Sequence, residues 1–313
     1  MNRYSKSIRY LPVLMLWLPL ISAAVTVGDF TLDPTRTLVP VDEIHSGGPP
    51  RDGIPSIDRP RFLEVDEKGI PEAGDPVLGL VRDGEAKAYP IAIMNWHEIV
   101  NDRIAGEPVV ITYCPLCGSG VAFSARVEGN TLEFGVSGLL YNSDVLLYDR
   151  KTESLWSQLL ARAISGQMRG SELKVLPMMV TSWEEWQRLY PDTRVLSRET
   201  GYQRDYDRDP YAGYQDSEGV YFPVSRRDPR FHPKELVYGL EIAGQFKAYP
   251  VSRLSMAGPG AADRFAGEHL DLRFNPSTGS LRILDRQGNE LPVIRSFWFA
   301  WYAFHPETEV YHP

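Results

Sequence analysis

The chain repeats part of itself, and the repeat limits what it can fold into. Residues 79–94, GLVRDGEAKAYPIAIM, match residues 239–254, GLEIAGQFKAYPVSRL, at a constant offset of 160. One residue later in register, DRIAGEP from Asp102 matches DRFAGEH from Asp263. WEEWQRLYPDTRVL from Trp183 then matches WFAWYAFHPETEVY from Trp298, where the offset has fallen to 115. The earlier copy therefore holds about 45 residues that the later one lacks. Two copies are too few for a solenoid, so the pattern predicts a duplicated domain.

Each copy reads as strands with short helices. In the first, residues 78–89 alternate around Asp83-Gly84 like a hairpin. Pro90 suits the first turn of a helix predicted to run through PIAIMNWHEIVND, residues 90–102. Residues 109–113 form an apolar strand, and Ser182 caps a later helix, SWEEWQRLY. The fold class is α+β, strand-rich, with two related domains from an internal duplication. Their bounds are residues 61–200 for the first copy and 234–313 for the second. A Pro- and Asp-rich extended arm, 25–60, precedes them. A Tyr-, Asp- and Pro-rich connector, 201–233, joins them and is either functional or a cover over one copy.

Residues 1–24 read as a signal peptide: Arg3, Lys6 and Arg9, then an apolar run, then Ser22-Ala23-Ala24. The run is shorter than the roughly 20 residues of a comfortable bilayer span, and no later stretch could cross a membrane. The expected location is periplasmic or secreted, where thiols tend to be oxidised. Loss of three basic residues and no acid moves the formal charge from −8 to −11. Such a chain makes a poor ligand for nucleic acid, which is held by clustered Lys and Arg. The expected partner is a protein or a small molecule.

The only two cysteines stand in TYCPLCGSG, residues 112–120. The second copy reads RFNPSTGSL there, with Asn275 for Cys114 and Thr278 for Cys117, while the framing Pro and Gly-Ser remain. A turn kept twice, with sulfur in one copy only, points to function at Cys114 and Cys117. The motif lacks the following helix of thioredoxin-like sites. It resembles instead a strand–knuckle–strand metal turn, where Gly118 permits a positive φ that aims N–H groups at sulfur. Two thiolates leave a tetrahedral shell half filled. His97, placed by the helix on one face with Ile93 and Val100, is the first choice for a third ligand. The second copy has no histidine there. A core histidine satisfied by hydrogen bonds explains His97 equally well. The other five histidines default to the surface.

Three readings of the pair stay open: a zinc or copper site, a redox-active dithiol acting as a thiol–disulfide oxidoreductase, and an inert stapling disulfide in a structural or partner-binding module. Asp149, Trp156 and Gln158, in YDRKTESLWSQ, are candidate supporting residues, although a polar turn pinned by a core tryptophan accounts for them as simply. Before them, GVSGLLYNSD places Ser137-Gly138 and Asn142 in turns that could face the cysteines.

Taken together, NWHEIVND, TYCPLCGSG, FGVSG, YDRKTESLWSQ and YPDTRVL resemble the DUF3179 family of exported bacterial and archaeal proteins, over residues 61–311. The resemblance implies that His97, Cys114, Cys117, Asp149, Trp156 and Gln158 are signature positions. It implies no reaction.

Overall fold

A computed structural model of the chain describes residues 23–258 and 260–313. Nearly all of the expected export signal, 1–22, lies outside the described residues. Among the described residues, no helix is long and apolar enough to cross a membrane. The fold is strand-rich, and the four α-helices among the described residues have seven residues each.

The arm at residues 25–60 is built into the protein rather than left free. Its strand β1 (Ile44–Ser46) is the edge of a sheet, and Phe30, Leu32 and Val41 are buried. The first unit follows with β2 (Pro76–Arg82) and β3 (Glu85–Pro90), paired around Asp83-Gly84 as expected. Next come α1 (Ile91–His97), β4 (Ile99–Ile104), β5 (Glu107–Cys114) and β6 (Ser119–Ser124). The helix expected over residues 90–102 is thus corrected. It stops at His97 because Glu98 takes φ 57, and the β-branched Ile99 and Val100 enter a strand paired with β5.

The residues present only in the first unit fold into β7 (Phe134–Tyr141), β8 (Asp144–Asp149) and β9 (Leu155–Ser157), in one sheet with β1. The unit closes with β10 (Met179–Ser182), α2 (Trp183–Leu189) and β11 (Arg194–Leu196). Ser182 caps α2 by accepting the Glu185 N–H at 3.3 Å.

The same order of elements then recurs: β12 (Leu236–Ile242), β13 (Gln245–Pro250), α3 (Val251–Ala257), β14 (Ala261–Phe265), β15 (Glu268–Asn275), β16 (Ser280–Leu284), β17 (Val293–Phe297), α4 (Trp298–Phe304) and β18 (Glu309–Val310). Strand order β10-β2-β3-β11 has its counterpart in β17-β12-β13-β18, including the parallel last pair. Particular contacts recur too. Trp186 Nε1 donates to Thr193 Oγ1 at 2.9 Å, and Trp301 Nε1 to Thr308 Oγ1 at 3.0 Å. Lys87 pairs with Asp102 at 2.9 Å and Lys247 with Asp263 at 2.7 Å, each carboxylate also accepting a tyrosine hydroxyl.

The two units share a sheet. β17 of the second pairs with β6 of the first through Arg295 and Gly120, and β16 lies against β10. This junction presses Phe297 onto the cysteine turn, inside the apolar cluster that holds Cys114, Cys117, Trp156 and Trp298.

Candidate functional site

Cys114 ends β5 and pairs with Ser119 at the start of β6, so the hairpin loop is Pro115, Leu116, Cys117 and Gly118. Gly118 has φ 58, and a Cβ there would meet the Phe297 ring at 2.9 Å. Only glycine satisfies both demands. The loop N–H groups do not aim at sulfur as the metal-knuckle comparison suggested. Cys117 N–H donates to Cys114 O at 3.2 Å and Gly118 N–H to Pro115 O at 3.4 Å. Phe297 N–H donates to Cys117 O at 2.7 Å, tying the loop to the second unit.

Both thiols are free and buried. They face the turn between β7 and β8, where Asn142 and Ser143 take φ 51 and 66, the two successive positive values of a tight hairpin turn. Cys117 Sγ donates to Ser143 O at 3.3 Å, and Cys114 Sγ reaches the same oxygen at 3.9 Å. The next residue, Asp144, is fully buried. Its Oδ2 accepts the Leu159 N–H at 3.0 Å, while its Oδ1 has no partner. One ligand atom each from Cys114, Cys117 and Asp144 lie within 4.8 Å of one another. The edges of a tetrahedron drawn with Zn–S near 2.3 Å and Zn–O near 2.0 Å are about 3.5–3.8 Å, which falls inside that bound.

Burial sets the protonation of this cluster. It pushes the Cys117 thiol well above its ordinary range and the Cys114 thiol up, the latter partly offset by a hydrogen bond from its partner. Burial raises Asp144 to about 7, against the opposing pull of the Leu159 N–H. Glu98 rises to about 8 through burial and then through the charge of Asp144. No cation compensates these groups through an ion pair among the described residues, so at neutral pH the cluster is mostly protonated.

His97 is not in this group, which corrects the expected third ligand. Its Nδ1 lies 2.8 Å from Pro55 O and its Nε2 2.7 Å from Tyr206 OH, so both ring nitrogens are engaged. Burial lowers its pKa and keeps it neutral. The shared face with Val100 on which the expectation rested is absent, since Val100 lies in β4. The titratable group beside the two sulfurs is Asp144 instead. Sequence reasoning missed it because it stands in the stretch without a counterpart. The available signal was the Asn-Ser pair before it, whose turn was expected to face the cysteines.

The supporting residues divide. Gln158 reaches the cysteine hairpin: its Oε1 accepts from Ser119 Oγ at 2.6 Å and its Nε2 donates to Thr112 Oγ1 at 2.8 Å. Asp149 accepts from Trp156 Nε1 at 3.0 Å and from the Thr152 N–H at 2.6 Å. They form the tryptophan-pinned turn, one strand away from the sulfurs. His305, expected at the surface, is buried and stacked on Phe246 at 4.0 Å.

A cleft of about 820 Å³ opens on the outer side of the hairpin, lined by Tyr113, Pro115, Tyr211, Tyr214 and Arg295 among others. Tyr214 comes from the connector. Its hydroxyl is buried without a partner, and burial first, then the neighbouring cysteines, raise its pKa. The connector therefore walls the cysteines off from the cleft.

A two-unit, strand-rich protein with a buried cysteine–carboxylate cluster is the class that fold and site define. The model of the family described as "Protein of unknown function (DUF3179)" matches residues 51–289, and the chain belongs to that family. No curated protein and no solved structure matches the chain.

Proposed function

We propose that the protein binds one soft transition-metal ion, zinc or copper, between the Cys114 and Cys117 thiolates and the Asp144 carboxylate. The observation that carries this reading is the orphaned Asp144 Oδ1, fully buried beside two free thiols. An unpartnered buried carboxyl oxygen is costly, and a cation is the partner such an oxygen lacks. Cysteine sulfur favours copper(I) and zinc among the available ions. The redox alternative finds less support: burial pushes both thiols away from the reactive thiolate and leaves no approach for a partner thiol. The recurring strand order supports an origin of the two units, residues 61–200 and 234–313, by duplication. On that view the second unit is the scaffold that clamps the site through Phe297. Export into an oxidising compartment, read from residues 1–24, makes a bound ion the means of keeping the pair reduced.

The test is a titration of reduced protein with zinc and with copper(I) under competing chelators. About one equivalent should bind to wild type and none to the Cys114→Ser/Cys117→Ser variant. Equal, weak uptake by both would sink the reading.

A further inference from the structure

Arg295 stands in the middle of the sheet that joins the two units. Among the described residues its guanidinium has neither an ion pair nor a hydrogen bond. At the offset of 115 that relates the ends of the two units, its counterpart in β10 is Val180, buried in an apolar cluster. An aliphatic side chain therefore suffices for that place in the strand. The arginine needs another reason.

The register fixes the face on which it stands. Tyr113, Gly120, Arg295 and Tyr238 lie side by side across β5, β6, β17 and β12, so their Cβ positions share one side of the sheet. The cleft of about 820 Å³ is lined from this side by Tyr113 and Pro115 at the end of β5 and by Arg295 and Phe297 of β17, alternate residues in both cases. Ile294 and Ser296 face the other way and are buried. Two strand spacings, about 10 Å, separate Tyr113 from Arg295. The connector adds Tyr211 and Tyr214 to the wall.

Tyr113, Tyr211 and Arg295 are half-buried. Among the described residues, the two hydroxyls have no hydrogen-bond partner, like the guanidinium, and none of these polar atoms is sealed from solvent. The cleft thus presents three free donors. Its other charges are engaged or exposed. Arg198 pairs with Asp207 at 2.7 Å, and Arg208 is exposed. Asp209 accepts from Asn95 Nδ2 at 3.1 Å and from the Tyr211 N–H at 2.9 Å, and Asp75 accepts the Glu72 N–H at 2.9 Å.

We propose that the cleft binds a small organic monocarboxylate that carries a ring, with the carboxylate on Arg295 and the ring against Tyr113 and Tyr211. A guanidinium offers paired N–H donors that fit a carboxylate or a phosphate. The lining holds four acids against three arginines, which favours a single negative charge over the double charge of a phosphate. Tyrosine rings supply flat apolar faces with a polar edge, suited to an aromatic or a sugar ring. The volume lies within the roughly 300–1,000 Å³ of small-molecule sites. Nothing in this site requires a metal at the cysteines, from which Tyr214 separates it.

The experiment titrates full-length protein with phenylacetate, glucuronate, acetate and inorganic phosphate, reading binding by calorimetry and by ligand-observed NMR. At least one of the two ring carboxylates should saturate, and it should bind about tenfold or more tightly than acetate or phosphate. Tighter phenylacetate marks an aromatic ring, and tighter glucuronate a sugar. Arg295→Met should weaken that binding by about tenfold or more, and Arg295→Lys by less, because lysine keeps the charge without the fork. Unliganded Arg295→Met should melt no lower than wild type, since the arginine has no partner to lose. The proposal is overturned if neither ring carboxylate saturates below about 10 mM. It is overturned equally if acetate or phosphate binds as tightly, or if Arg295→Met binds like wild type. A lower melting temperature for unliganded Arg295→Met would also overturn it, because the arginine would then serve the fold.

Discussion

At the scale of single residues, Asp144 decides how the cluster answers pH. Burial holds its carboxyl up to about 7 and that of Glu98 up to about 8, whereas in the unfolded chain both ionise near 4. Between about pH 4 and 8 the folded, metal-free protein therefore binds more protons than the unfolded chain, and its stability falls as pH rises. The metal-free wild type should melt at lower temperature at pH 8 than at pH 5, and Asp144→Asn should flatten that slope because an amide does not titrate. Thermal melts at constant ionic strength check this; a wild-type melting temperature that climbs across the window would contradict the buried neutral acid. Metal uptake runs the other way with pH. The thiols must lose protons to ligate, so affinity rises as pH rises. Cys114 and Cys117 were legible in the sequence because Asn275 and Thr278 show the same turn without sulfur. Asp144 was not, because no second copy of its hairpin exists for comparison. Glu98 was hidden because nothing in its identity announces a positive φ.

At the scale of elements, hydrophobic pattern and turn residues specified β2, β3, β5, β6 and α2 well. The error at α1 has a physical cause. Pro90 opens the helix and the apolar spacing continues to Val100, but the β-branched residues after Glu98 gain more by pairing with β5 than by prolonging a helix. The arm was read as extended from its Pro and Asp content, and β1 joined a sheet that the sequence did not disclose, because β7 supplies its partner from about 90 residues away. The tryptophan contacts give the sharpest test of whether the two units are built alike. A Cβ on Gly79 would meet the Trp186 ring at 2.2 Å, and one on Gly239 the Trp301 ring at 2.1 Å. Neither ring can retreat, since Trp186 and Trp301 are buried and each is held by its threonine. Gly79→Ala and Gly239→Ala should each destabilise the protein by about 3 kcal/mol or more. Gly74→Ala, with nothing within 4 Å of its Cβ, should change little. Denaturant unfolding measures all three, and an innocuous Gly239→Ala would mean that the second unit does not pack like the first.

At the scale of the whole molecule, the cysteine site is assembled from parts distant in sequence: a hairpin from the first unit, a turn from its added sheet, Phe297 from the second unit and a lining from the connector. The connector's path depends on one buried charge that no sequence pattern marks. Lys234 is 5% exposed and donates from Nζ to Tyr214 O at 2.6 Å, Ser217 O at 2.7 Å and Gly219 O at 2.6 Å. Its ammonium also sits 3.7 Å from the centre of the Tyr214 ring. The connector is thus wrapped around the cation, and Tyr214 is held against Phe297 next to the sulfurs. Lys234→Met keeps the aliphatic stem but leaves those carbonyls without their donor, at a cost of about 1–3 kcal/mol. Because the connector carries few of the fold's strands, the loss should open it locally before the sheets yield. Cys114 and Cys117 should then react faster with a small thiol reagent under native conditions, by more than the change in global stability explains. Metal-free Lys234→Met compared with Ile283→Ala, in an apolar cluster that contains no connector residue, separates local from global opening. Equal labelling rates at matched stability would show that the connector does not control access to the site.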